Sequence, residues 1–179
     1  MTAEQREPAP PAVVAADVDG TLVHSRRRVP DPTGLRVVEV YDGRDVGFVE
    51  PEAWDLLERL QSVATVVPFT ARTRRQYDRI DLPRRPTVAV LCGGATVLVD
   101  GDVDPVWSDH VDAALAATGV TAADVAARMA DVPTTEEPRV GDDRFAYVRV
   151  APEADVAGLA AWCHDRGWNL VHQDGRIYA

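Results

Sequence analysis

Six residues near the amino terminus, Asp17-Val18-Asp19-Gly20-Thr21-Leu22, follow directly on the apolar run Val13-Val14-Ala15-Ala16. A short apolar run closed by polar turn residues reads as a strand buried on both faces, as in a parallel sheet. Open α/β sheets bind ligands outside the carboxyl ends of their strands, and that is where Asp17 and Asp19 fall. Gly20 lets the backbone turn tightly and approach a ligand closely. Two carboxylates one residue apart at a buried strand end are costly unless a cation or a reaction uses them. The segment therefore predicts an α/β fold with an acidic site at the end of its first strand.

Strands and helices alternate through the rest of the chain, with no internal repeat. A polar connection from Val23 to Pro32 carries the run Arg26-Arg27-Arg28. A β-type stretch from Leu35 to Tyr41, an Asp42-Gly43 turn and Val46 to Val49 then predict a hairpin flap. A helix opens at Pro51, with Ala53, Leu56, Leu57 and Leu60 as its apolar stripe. Ala64 to Phe69 is the second core strand, and Thr70 stands at its end. Thr73 and Gln76 have capping-box spacing, which predicts a helix running to about Ile80. Its free amides and positive dipole end, with the Thr70 hydroxyl, make an anion site. The third strand, Thr87 to Leu91, leads through Cys92-Gly93-Gly94 to a hairpin of Thr96 to Val99 and Val103 to Trp107 about Asp100-Gly101. Pro105 confines that return strand to an edge.

From Ser108 the pattern changes. Helices are expected over about Asp109 to Ala117, from a Thr121 cap to about Ala130, and from Pro152 with Val156, Leu159, Ala160 and Cys163 inward. A strand from Arg144 to Val150 alternates cleanly, and a closing hairpin from Trp168 turns at Asp174-Gly175. Asp142 and Asp143 precede the strand rather than follow one, so they read as a turn and not as a second acidic site.

Composition narrows the function classes. At 179 residues the chain suits one or two small domains. A net charge of -10 excludes a nucleic-acid or anionic-membrane partner. All 19 Lys-or-Arg positions are arginine. Cys92 and Cys163 lie in apolar contexts without metal-ligand spacing, as reduced core residues of a cytoplasmic protein. His110, His164 and His172 share no ligand spacing either and read as surface residues; His24, close to Asp17–Leu22, is within reach of a substrate but reads as a solvated loop residue. Residues 1–11 are polar and proline-rich, without the apolar core of a signal peptide, and predict a disordered tail.

The run from Asp17 to Leu22 resembles the first motif of the haloacid dehalogenase superfamily of phosphohydrolases, Asp-x-Asp-Gly-Thr-hydrophobic. The strand ending in Thr70 resembles its second motif, and Pro68-Phe69-Thr70-Ala71-Arg72 is similar to the sugar-phosphatase branch that includes sucrose-phosphate and mannosyl-phosphoglycerate phosphatases. The resemblance implies a Rossmann-like core with a parallel sheet (residues 12–107) and an inserted α/β cap (residues 108–179). It implies Mg²⁺-dependent hydrolysis of a small phosphate monoester. By that resemblance Asp17 is the nucleophile, Asp19 the general acid/base, and both hold Mg²⁺. Gly20, Thr70, Ala71 and Arg72 line the phosphate, and the arginines flanking the two motifs supply a positive collar.

The sequence departs from that pattern in three places. Gly93 stands where the branch has Asn. The motif lysine that neutralises the aspartyl-phosphate has no counterpart, and neither do the late acids that complete the metal site. These departures are expected of a chain ending within the cap, or of a member that has lost catalysis. If the chain ends within the cap, the first strand is expected at an open sheet edge, prone to self-association, with marginal stability and little turnover. The alternatives are a non-enzymatic phosphate-binding module using the same pocket and, more remotely, a phosphoryl carrier.

Overall fold

The computed structural model describes residues 12–173 and 175–179. The tail expected over residues 1–11, and Asp174 of the last turn, lie outside the described residues. In chain order the elements are β1 (Ala12–Asp17), β2 (His24–Ser25), β3 (Arg36–Tyr41), β4 (Arg44–Val49), α1 (Pro51–Val63), β5 (Ala64–Phe69) and α2 (Arg74–Tyr77). There follow β6 (Val88–Leu91), β7 (Thr96–Val99), β8 (Asp102–Val103), α3 (Pro105–Ala117) and α4 (Ala122–Met129). The last are β9 (Arg139–Gly141), β10 (Phe145–Arg149), α5 (Ala157–His164), β11 (Val171–Gln173) and β12 (Arg176–Tyr178). The strands form sheets in the orders β1-β5-β6-β7-β8, β2-β4-β3 and β11-β12-β10-β9. β1 and β5 run parallel, from Ala12 opposite Ala64 to Asp17 opposite Phe69.

Two compact units divide the chain. The first holds the described residues through Thr70 with Asp78–Ala89 and Leu98–Asp102. Its flap is the expected hairpin of β3 and β4, with Asp42 and Gly43 both at positive φ, the twist that a two-residue hairpin turn requires. β2 adds an unexpected third strand, pairing His24 with Phe48. Val18, Val23, Val38 and Val49 form the core there, with Trp54 and Ile80 packed on it.

Register shifts either side of Glu39 break the alternation of β3, so that Val38 and Glu39 are both buried. The Glu39 carboxylate accepts hydrogen bonds from Arg79 Nε and Nη2 at 3.1 and 3.0 Å. The same guanidinium lies 4.5 Å from the ring centroid of Tyr41. A period-two reading hides this pair, because it puts Glu39 on the outer face.

Three expectations in this unit are corrected. β1 is not buried on both faces: among the described residues it is paired only with β5, and Val13 is 67% exposed. The inward face of α1 is Trp54, Leu57 and Gln61 rather than Ala53, Leu56 and Leu60, and Leu56 is 62% exposed. The helix predicted to reach Ile80 ends at Tyr77, because the chain beyond it pairs with the flap: Ile80 bridges Glu39, and Asp81 N donates to Val38 O at 2.7 Å.

The second unit holds Ala71–Tyr77, Val90–Val97 and Val103–Ala179. Its four-stranded antiparallel sheet carries α4 and α5 over a core in which Val125, Met129, Val148, Cys163 and Ile177 have no exposed surface. Thr121 starts α4 as expected. Its hydroxyl accepts from Asp124 N at 3.1 Å while Asp124 accepts from Thr121 N at 2.9 Å, a reciprocal capping box. The return strand expected over Val103 to Trp107 is cut to β8, and helix takes over from Pro105. Pro105 takes the first helical position of α3, and Asp104 caps it, accepting from Trp107 N at 2.7 Å. Pro152 does not open α5; Asp155 accepts from Ala157 N at 2.9 Å and sets the start there.

The Glu39–Arg79 pair gives the stability test for the first unit. Breaking a buried pair by removing one partner costs about 3 kcal/mol. Arg79→Met is expected to lower unfolding free energy by about that amount in urea titrations. The double change Glu39→Leu with Arg79→Met is expected to recover most of it.

Candidate active site

Hydrogen bonding within one short loop sets the acidic motif. Val18 is buried, so the residues on either side of it face the opposite way, and Asp17 and Asp19 are both exposed. Val18 O accepts from Leu22 N and Val23 N at 3.1 and 2.9 Å, and Gly20 N donates to Val23 O at 2.8 Å. Gly20 sits at φ +90, which a side chain would strain. Asp17 Oδ1 accepts from Val18 N at 2.8 Å, which fixes that carboxylate at the strand end. Both acids meet solvent, so neither carries the desolvation cost expected at a buried strand end.

That placement follows from the parallel register. Asp17 lies opposite Phe69, so Asp17 and Thr70 leave the carboxyl ends of adjacent strands. Thr70 is 3% exposed. Asp17, Asp19, Gly20 and Thr70 belong to one compact unit, whereas Ala71 and Arg72 belong to the other.

In that second unit the capping box at Thr73 is formed. Thr73 N donates to Gln76 Oε1 at 2.9 Å, and Gln76 N to Thr73 Oγ1 at 3.3 Å. One amide that the sequence assigned to an anion is already taken. Arg74 N donates to Asp142 Oδ2 at 2.6 Å. The Cys92 thiol also faces that oxygen, at 3.4 Å. Arg72 O is engaged too, accepting from Cys92 N at 3.0 Å. Asp142 and Asp143 form the β9–β10 turn, both at positive φ and closed by Arg144 N to Gly141 O at 2.9 Å. Nothing in their spacing betrays the contact with Arg74. Burial, reinforced by the Asp142 charge, pushes the Cys92 thiol up to about 12.

Among the described residues no group of three or more His, Cys, Asp and Glu side chains converges on a metal position. Mg²⁺ needs no such cage, since one or two carboxylates with waters and phosphate oxygens ordinarily hold it. Asp17 and Asp19 are hard oxygen donors one residue apart and open to solvent, and they fit that requirement. His110, His164 and His172 are exposed. No helix among the described residues is long and apolar enough to cross a membrane.

The fold itself can be compared with known structures. A trehalose-6-phosphate phosphatase related protein superposes with a TM-score of 0.54 at 15% identity, over 93% of this chain and 66% of that one. Sucrose-phosphatase from Synechocystis, solved in complex with sucrose and phosphate, gives 0.58 at 13% identity, over 93% and 62%. The chain shares the fold of these two proteins. It spans just under two thirds of the length of these two proteins. No protein-family model matches it, and no curated sequence matches it significantly. The α/β class and the parallel sheet expected from the sequence are therefore those observed.

The raised Cys92 value has a consequence for pH. The folded chain keeps a proton that the unfolded chain releases from about pH 9. Stability contributed by the neutral thiol is thus complete below pH 9 and is lost as pH rises from about 9 towards 12. Thermal melts are expected to show a steeper fall of Tm over that range in the wild type than in Cys92→Ser. Both thiols are buried and should react with a disulfide reagent only as fast as the chain opens.

Proposed function

We propose that this chain carries the catalytic site of a phosphatase acting on a small phosphate monoester, and that the ester is a sugar phosphate. The observation that carries the reading is the register of β1 and β5, which sets Asp17 beside the strand that ends at Thr70. Support for the substrate class comes from the fold, shared with a sucrose-phosphatase and a trehalose-6-phosphate phosphatase related protein.

In this reading an Asp17 carboxylate oxygen attacks phosphorus in line, and the bond from phosphorus to the ester oxygen breaks. Asp19, protonated, gives its proton to the departing alkoxide. A water molecule then attacks the phosphorus of the aspartyl-phosphate while Asp19 takes its proton. Inorganic phosphate leaves, and both carboxyl groups return to their starting states. The Thr70 hydroxyl donates to a phosphoryl oxygen at the strand end beside Asp17. Mg²⁺, held by Asp17 and Asp19, would supply the charge neutralisation that phosphoryl transfer chiefly requires.

A second reading, phosphate binding without turnover, is favoured by one observation: the chain contains no lysine, the residue that the resemblance assigns to the aspartyl-phosphate charge. One experiment separates the two. The protein is mixed with Mg²⁺ and a panel of sugar phosphates, and both released phosphate and hydroxylamine-sensitive phospho-enzyme are measured. Slow turnover is expected, with all phospho-enzyme lost in Asp17→Asn. Asp19→Asn is expected to slow turnover by about 10²–10⁴ while phospho-enzyme accumulates. Tight phosphate binding without either product would favour the second reading, and wild-type turnover in Asp17→Asn would overturn the first.

A further inference from the structure

Arg26, Arg27 and Arg28 leave the acidic loop as one run of charge, yet the backbone gives them different neighbours. After the Asp17–Val23 loop the chain forms β2, and Arg26 N donates to Val46 O at 3.0 Å, which anchors the run to the flap. The chain then reverses: Arg28 N and Val29 N both donate to Ser25 O, at 2.8 and 3.1 Å. Arg26 turns its guanidinium back on its own loop, with Nη1 donating to Val29 O and Pro30 O at 3.2 and 3.1 Å. The Arg28 guanidinium instead lies over Gly20. A methyl group on Gly20 would collide with Arg28 Nη1 and stand 3.5 Å from Cζ. A fixed positive charge therefore rests on the backbone of the residue between Asp19 and Thr21, within the same compact unit as Asp17 and Thr70.

We propose that Arg28 is a phosphate-binding residue of this site, reaching over Gly20 from the flap side to the phosphoryl group. The proposal rests on the phosphatase reading above. Phosphoryl transfer spreads negative charge over three oxygens, and the Asp17 carboxylate adds another beside them. The site needs a cation that stays charged and can engage two oxygens at once, which is what a guanidinium offers. Gly20 leaves the guanidinium room there, and a side chain at that position would push it aside. The bare backbone at this position thus has two uses, the positive φ of the loop and the seat of Arg28.

The test is binding of orthovanadate, which resembles the phosphoryl group, to the full chain by titration calorimetry in Mg²⁺. Arg28→Ala is expected to bind about tenfold more weakly or worse, the loss of one charge-assisted contact. Arg28→Lys is expected to recover part of it, and added guanidinium ion to restore binding to Arg28→Ala. Arg59→Ala, the same charge change on exposed α1, is expected to bind like the wild type. Circular dichroism melts show whether each variant is folded. Unchanged affinity in folded Arg28→Ala, or an equal loss in Arg59→Ala, would overturn the role of Arg28 while leaving the phosphatase reading intact. Vanadate binding that survives in both Asp17→Ala and Thr70→Val, or no binding by the wild type, would overturn that reading and this proposal with it.

Discussion

Everything at the acidic loop depends on the in-register parallel pairing of β1 with β5. Six consecutive pairs, ending at Asp17 opposite Phe69, bring two chain segments some fifty residues apart to a common strand end. Parallel pairing cannot be closed by a tight turn, and the flap and α1 make the intervening crossover. A shift of one residue would exchange the faces of β5. It would also move Thr70 out of step with Asp17. The chemistry proposed for the site is therefore as specific as this one ladder.

Much of that ladder was legible in the sequence. β5 runs over the residues expected of it, because apolar β-formers bounded by a helix end and a Thr leave little choice. The Asp42-Gly43 and Thr121 signals held for the same reason, since each is satisfied by neighbours within four residues. What failed was set by distant partners. α2 stops where Ile80 and Asp81 find the flap, and no local signal forecasts that. Pro105 suits a strand edge or a first helical turn equally well, and the Asp104 cap decides between them. The acid pair at Asp17 and Asp19 is legible as a motif, but its exposure is not, because a strand's apolar run does not tell an edge strand from a central one.

The site residues divide in a similar way. Asp17, Asp19, Gly20 and Thr70 fall together because strand ends converge. Ala71 and Arg72 do not join their unit. The anion position expected at the next helix is met in part by the protein's own carboxylate, Asp142. A helix amide does not distinguish a bound phosphate from an aspartate carried in by another turn.

The β9–β10 turn shows what such double use implies for how far this sequence can drift. Asp142 and Asp143 both adopt a left-handed backbone, which leaves Gly, Asn and Asp as comfortable occupants. At Asp142 the side chain must also present an oxygen to the Arg74 amide and the Cys92 thiol, which removes Gly. The tip of a surface hairpin, ordinarily the freest place for substitution, is here confined to two amino acids. Only one of those two carries the charge.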